Sequence, residues 1–323
     1  MKPLKILVTG ASGAAGSYFV DFLKDFHSDE TEVFGLTRWH SGASQKNLKH
    51  SQGFVKLIEC DLMDFSSVTR ALEFSNPDMI IHFASHANVR ASFDTPISVV
   101  NNNTISTLNL LEGIRVLKLS PRVVLASTSE VYGNVNPEEV PLRESQIMRP
   151  ASPYAASKAF QDLISGVYFD AFHIPIIRTR MFTYLNARRS DIFATAWARQ
   201  IVQIERGERD YLLHGNLESV RTMIDVRDAM NAYWAAFINC APGEIYNIGG
   251  TESFRVGDVL ESLIDMAEVP IMTKLDPELL RPNDVTLQIP DCQKFMAATG
   301  WRPTYSIQDS LAHLMEEIRS SYQ

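Results

Sequence analysis

Leu4-Lys-Ile-Leu-Val8 runs directly into Thr9-Gly-Ala-Ser-Gly-Ala-Ala-Gly16. The first five residues make a short apolar run, and Gly10, Gly13 and Gly16 then follow with G-x-x-G-x-x-G spacing. From Ser17 to Phe26 the apolar residues recur at helical period. Glycines let a backbone turn sharply and come close to a pyrophosphate, whose charge then rests at the N-terminus of the following helix. Strand, glycine turn and helix in that order predict the first unit of a dinucleotide-binding fold.

The next segments continue the pattern. Glu32 to Thr37 reads as a second strand with Arg38 just past its end. In dinucleotide folds an acid at that position selects the free 2′-hydroxyl of the adenine ribose, whereas an Arg accommodates a 2′-phosphate. Arg38 therefore favours NADP over NAD. Phe54 to Cys60 is a third strand, ending in Asp61-Leu62 at a position suited to the adenine edge. Asp64 to Phe74 reads as an amphipathic helix, and Met79 to Ser85 as a fourth strand. Ala84 and Ser85 are small enough to let a diphosphate and ribose approach. His82 and His86 are isolated, which points to core or rim roles. A helix from Val99 to Gly113 and a fifth strand from Arg122 to Ala126 follow. Strands alternating with helices over about 180 residues imply an α/β fold with a parallel, doubly wound, Rossmann-type sheet.

Composition narrows the function. The 323 residues are 45% hydrophobic and 21% charged, with a net charge of −8 and a pI near 5.5. That acidity argues against nucleic acid or an anionic membrane as the main partner, so an anionic substrate must be held by locally clustered arginines. Cys60, Cys240 and Cys292 are far apart, odd in number and without metal-ligand spacing. Reduced structural thiols in a cytoplasmic protein are the expectation, with no metal. No cleavage-site pattern or long apolar segment is present, so neither secretion nor membrane spanning is expected.

The chemistry concentrates between Leu125 and Lys158. Leu125-Ala-Ser-Thr-Ser-Glu-Val-Tyr-Gly133 ends the fifth strand, and Ser152-Pro-Tyr-Ala-Ala-Ser-Lys158 opens the next helix, with a Pro suited to its first turn. Tyr154 and Lys158, four residues apart, stack on one helical face. A phenol with an ordinary pKa near 10 is a poor base at neutral pH. A cation at roughly 4 Å and an effective dielectric near 20 favours the phenolate by about 4 kcal/mol. Burial opposes ionisation, so a smaller net fall in pKa is expected. In doubly wound sheets chemistry gathers beyond the carboxyl ends of the strands, which places Ser127-Thr-Ser-Glu130 and Tyr154/Lys158 together.

The motifs Thr9 to Gly16, Ser127-Thr-Ser-Glu-x-Tyr-Gly133 and Tyr154-x-x-x-Lys158 resemble the extended short-chain dehydrogenase/reductases acting on nucleotide sugars, the epimerase/dehydratase family. Gly35-Leu-Thr-Arg38, Ala126 to Gly133, Arg188-Arg189 and Arg281-Pro-Asn-Asp-Val285 are most similar to GDP-mannose 4,6-dehydratases. The resemblance covers essentially the whole chain. It implies that Thr128, Glu130 and Tyr154 form the catalytic triad, with Lys158 as supporting cation. It also implies that Thr183, Arg188, Arg221, Arg281 and Asp284 meet the substrate. Where related families place an Asn on the substrate, this chain has Thr183. The stretch Met223-Ile-Asp-Val-Arg-Asp228 is closer to 4-ketosugar reductases and epimerases.

Ile174 to Met181 is a further strand, and Asp191 to Glu205 reads as a helix. The expected division is a dinucleotide-binding domain over 1–180 and a smaller, interleaved nucleotide-sugar lobe over 181–323, with 225–250 returning to the first domain. The implied activity is 4,6-dehydration of GDP-mannose or a related GDP-sugar through bound NADP. An NADP-dependent 4-ketosugar reductase or epimerase is the alternative, and a dinucleotide-sensing protein without turnover is a remote one. The Arg188-Arg189 segment implies a homodimer or homotetramer.

Overall fold

The computed structural model describes residues 2–38, 46–280 and 283–322. In chain order its first half contains β1 (Leu4–Thr9), α1 (Ala14–His27), β2 (Thr31–Thr37), β3 (Val55–Glu59), α2 (Phe65–Ser75), β4 (Met79–His82) and α3 (Ala91–Asp94). Then come α4 (Pro96–Val116), β5 (Arg122–Thr128), α5 (Pro153–Phe172) and β6 (Ile176–Met181). The second half contains β7 (Thr183–Leu185), α6 (Phe193–Glu205), β8 (Leu212–His214), β9 (Val220–Asp225), α7 (Val226–Asn239), β10 (Ile245–Ile248) and β11 (Ser253–Arg255). It ends with α8 (Val256–Asp265), β12 (Thr273–Leu275), β13 (Leu287–Gln288), α9 (Gln293–Thr299) and α10 (Ile307–Ser321).

Seven strands form one parallel sheet in the order β10-β6-β5-β4-β1-β2-β3. The near-continuous apolar strands are explained by burial on both faces. Side chains alternate across a strand. Ile6, Val8, Ile81, Val124 and Ile177 therefore pack with residues of α1 and α7, while Leu7, Ile80, Val123, Leu125 and Ile176 pack with α2, α4 and α5. After β3 the chain returns to the other side of β1, so the switch in winding direction lies between β1 and β4. A crevice opens there at the carboxyl ends of the strands.

β4 stops at His82 rather than at Ser85; its ladder with β1 ends at the pair Thr9–His82 and its ladder with β5 at the pair His82–Leu125. Past that point the Ala84 N–H donates to the Thr9 side-chain oxygen at 3.1 Å. His82 is a core residue, with Nδ1 2.8 Å from Thr9 Oγ1 and Nε2 3.0 Å from Thr107 Oγ1. Burial pushes its imidazole down to about 3, so it stays neutral.

A second core gathers α6, α8 and α10 around residues such as Trp197, Ile201, Leu263 and Leu314. Its sheet is built on β9, which pairs with β7, β11 and β13. α7 and β10 lie with the large sheet, β10 extending it past β6 and α7 packing beside α1. No helix among the described residues is long and apolar enough to cross a membrane.

Candidate active site

Thr128 ends β5, and a single 3-10 turn, Ser129–Tyr132, follows it. The Thr128 hydroxyl caps that turn by accepting from the Glu130 N–H at 3.3 Å. Opposite, the Ser152 hydroxyl accepts from the Ala155 N–H at 3.1 Å and Pro153 occupies the first turn of α5, fixing where that helix starts. Tyr154 and Lys158 consequently open the helix against the end of β5. Thr128, Glu130, Tyr154 and Lys158 all line one cavity with roughly 360 Å³ of free volume, together with Ser85, Thr183, Arg221 and Asp284. That is within the range of small-molecule sites.

The electrostatics differ from the expectation at Tyr154. Burial pushes the phenol up to about 12, the Arg189 guanidinium and hydrogen bonding with Thr128 oppose the rise, and Glu130 adds to it. No net fall results, because desolvation outweighs the favourable charges. The cation drawing the phenol downward is Arg189. Lys158 Nζ donates instead to the Ala126 carbonyl at 2.8 Å. Burial, helped by the Arg189 charge, depresses the Lys158 ammonium to about 7.

Arg189 is positioned by three bonds. It donates to Asp191 through Nε at 2.9 Å and Nη2 at 3.1 Å, and Nη2 also donates to the Ala87 carbonyl at 2.7 Å. Its neighbour Arg188 turns the other way, onto α1. There Nη2 meets Asp21 Oδ2 at 2.6 Å and the guanidinium lies 3.9 Å over the Tyr18 ring. Arg189 lines the cavity and Arg188 does not.

Beneath the site, Asp162 and Arg180 form a buried pair, Nε to Oδ2 at 2.9 Å, and Ser127 Oγ donates to the same carboxylate at 3.1 Å. Asp162 lies one helical turn beyond Lys158, so this pair ties α5 to β5 and β6. A polar chain on the other side runs from Asn103, whose Nδ2 donates to Ser157 Oγ at 2.9 Å, to the Tyr154 carbonyl, which accepts from Ser157 Oγ at 2.7 Å.

The glycine turn makes a backbone cradle at the switch point. Gly10 has φ +65°, and a Cβ on Gly16 would stand 2.2 Å from the Gly10 carbonyl oxygen. The cradle runs into the first turn of α1, whose N-cap, Gly13, offers no side-chain bond. Backbone N–H groups there fit the pyrophosphate of a dinucleotide. Ala84 packs on Gly10: a Cβ there would lie 3.0 Å from the Ala84 Cα. Leu62 is fixed by Asn109 Nδ2, which donates to its carbonyl at 2.8 Å; Asp61 beside it is exposed. Arg38 is exposed past β2, and its charge, after burial, contributes to the lowered pKa of His86.

On the substrate side, Arg221, the second residue of β9, donates through Nη2 to the Val285 carbonyl at 2.7 Å and through Nη1 to Gln288 Oε1. Gln288 Nε2 in turn donates to Glu130 Oε1 at 3.3 Å. Asp284 accepts from Asn216 Nδ2 at 2.8 Å. Thr183 opens β7. Arg281 lies outside the described residues.

Arg189 and Gln288 line the cavity without being singled out by the motifs. Arg189 was visible only as half of a basic pair, and Gln288 carried no signal at all. Residues 7–314 match the family model for GDP-mannose 4,6 dehydratase. The chain belongs to that family. A GDP-mannose 4,6-dehydratase from Sinorhizobium fredii is 28% identical over 339 residues, spanning 96% of this chain and 95% of the relative. A GDP-6-deoxy-D-mannose reductase from Pseudomonas aeruginosa is 27% identical over 246 residues, covering 76% of this chain and 81% of the reductase. Among solved structures, a UDP-glucuronic acid 4-epimerase from Bacillus cereus, in complex with UDP-glucuronic acid and NAD, superposes with a TM-score of 0.87 at 26% identity. The match covers 99% of this chain and 100% of that one. As a member of the GDP-mannose 4,6 dehydratase family, the chain draws Thr128, Glu130, Tyr154 and Lys158 from one β-turn-α unit, and Thr183, Arg221 and Asp284 from the second half.

Proposed function

We propose that the protein is a nucleotide-sugar 4,6-dehydratase acting on GDP-mannose or a related GDP-sugar, with NADP held along the Gly10–Gly16 cradle. The observation that carries this reading is a carboxylate, Glu130, in the cavity wall close enough to Tyr154 to act on its ionisation. When bound, the dinucleotide supplies a hydride acceptor that later returns the hydride.

Tyr154 removes the proton of the sugar 4-hydroxyl, which Thr128 holds in place. Arg189 favours the phenolate this requires, and Lys158, anchored on the Ala126 carbonyl, faces the nicotinamide ribose. The 4-ketone acidifies the C5 proton. Glu130 takes that proton and assists departure of the 6-hydroxyl as water. The second lobe holds the nucleotide, with Arg221 toward the diphosphate and Asp284 toward the ribose. Arg38 supports NADP rather than NAD. Exposed Ile105 on α4 and exposed Leu163 and Val167 on the adjoining α5 support a homo-oligomer in which a second copy covers them. Three buried thiols are in keeping with a cytoplasmic protein.

Mass spectrometry of reactions with GDP- and dTDP-sugars, without added reductant, tests the reading. A dehydratase yields a sugar nucleotide lighter by one water and consumes no NADPH; stoichiometric NADPH consumption instead identifies a reductase. Glu130→Gln should slow dehydration by a factor of about 10² to 10⁴ while C4 oxidation persists. Tyr154→Phe should block the reaction before any NADPH forms. Dehydration by Glu130→Gln at the unmodified rate removes the main support for the assignment.

A further inference from the structure

We propose that Gln288 is a positioning residue that ties the base Glu130 to the anion-binding Arg221, coupling proton abstraction at C5 to seating of the substrate's diphosphate. The inference rests on the dehydratase reading above. Gln288 is 2% exposed and stands directly opposite Arg221 in the parallel β9–β13 pair. Arg221 Nη1 donates to its Oε1, and its Nε2 donates to Glu130 Oε1 at 3.3 Å.

Donor chemistry fixes the direction of this relay. A guanidinium has only N–H donors, so the amide oxygen of Gln288 must face Arg221. The amide nitrogen is thereby turned toward Glu130, and a carboxylate accepts what it offers. Flipping the amide would set donor against donor at one end and acceptor against acceptor at the other. The strand carrying Gln288 is itself held, because the Leu142 N–H donates to the Ile289 carbonyl and the Asp291 N–H to the Leu142 carbonyl, both at 2.8 Å. Glu130, by contrast, sits on one 3-10 turn whose only side-chain cap is the 3.3 Å bond to Thr128. A single turn does not fix a three-torsion side chain. The Gln288 amide does so by holding one carboxylate oxygen and leaving the other for the sugar. A diphosphate drawn to Arg221 shifts the guanidinium, and the Gln288 amide between them transmits that shift to Glu130.

Two variants separate the halves of the relay. Gln288→Leu keeps the volume and removes both bonds. Gln288→Glu keeps an acceptor for Arg221 but sets a second carboxylate against Glu130. Turnover, GDP affinity by calorimetry, deuterium entry at C5 and reduced-nicotinamide absorbance are read on the NADP-loaded protein. In Gln288→Leu, kcat should fall about tenfold to a hundredfold, the loss typical of a misplaced group. GDP should bind several-fold more weakly, and enzyme-bound NADPH should accumulate because C4 oxidation outruns elimination. Gln288→Glu should bind GDP as the unmodified protein does and still lose turnover. This split between binding and kcat, with NADP(H) affinity unchanged in both, is not the signature of a general structural defect. Unmodified turnover without NADPH accumulation in Gln288→Leu overturns the proposal, as does an equal loss of GDP affinity in both variants. If Gln288→Leu fails to fold, Gln288→Glu decides by the same two readouts. If the unmodified protein dehydrates no sugar nucleotide, the functional reading falls separately. GDP affinity then judges the Arg221 half: weakened in Gln288→Leu alone supports it, equal in all three overturns it.

Discussion

Burial of Lys158 should make the protein's stability depend on pH in a defined window, and Lys158→Met should remove that dependence. The ammonium is depressed from 10.5 to about 7, chiefly by desolvation. The difference, 10.5 − 7, is about 3.5 pH units, and at about 1.4 kcal/mol per unit it corresponds to something on the order of 5 kcal/mol against the charged form. The sign follows from proton counts. Between about pH 7 and 10.5 the unfolded chain holds the Lys158 proton and the folded chain does not. The unfolded state then binds more protons, so stability rises with pH across the window. Below about 7 both states hold the proton, and the folded chain carries the full penalty.

Replacing Lys158 with Met abolishes that titration and its share of the slope. Chemical denaturation of both proteins without nucleotide, over a pH series spanning the window, isolates the effect. His82, Tyr154 and the buried thiols are present in both proteins, so their own contributions cancel in the comparison. The stability of Lys158→Met relative to the unmodified protein should decline with rising pH by up to about 1.4 kcal/mol per unit and level off at both ends. The absolute offset also contains the lost bond to Ala126, so the slope is the test. Parallel curves within about 0.5 kcal/mol would show that Lys158 keeps an ordinary pKa in the folded chain. A relative stability that grows with pH would reverse the sign and refute desolvation as the dominant cause.

The remaining predictions concern cofactor, charge and assembly. NADP(H) should bind more tightly than NAD(H) in titration calorimetry, and Arg38→Ala should erase most of that preference; equal affinities in the unmodified protein refute it. Arg189→Gln removes the cation opposing burial at Tyr154, so turnover should drop and the limb of the rate–pH profile reporting phenol ionisation should move to higher pH. Arg189→Lys should restore part of the rate, and an unmoved profile would exclude Arg189 from the phenol's electrostatics. Light scattering at micromolar concentration with cofactor present should give a dimer or tetramer, and Leu163→Asp on the exposed face of α5 should shift it toward monomer.

How much of this was legible in the sequence depended on whether a feature was written locally. The glycine turn was legible because strand, turn and helix are contiguous; the resulting geometry admits no side chain at Gly16 and strains one at Gly10, whose φ is +65°. Tyr154 and Lys158 were legible because a four-residue spacing has one meaning on a helix. The end of β4 was not, since it depends on ladders to other strands, and the pairing partner Thr9 is 73 residues away from His82. The sign of the shift at Tyr154 was missed for a related reason: neighbours can be counted along a chain, whereas desolvation depends on everything that packs over the phenol. Arg188 and Arg189 sit on an irregular segment, where no period says which of two adjacent side chains points inward. Gln288 is the extreme case, 158 residues from Glu130 and 67 from Arg221, on a two-residue strand too short to show any pattern. The groups proposed to perform the chemistry thus come from one β-turn-α unit and can be read from it. The groups that set their charge and aim come from other elements and become visible only when the two halves are packed together.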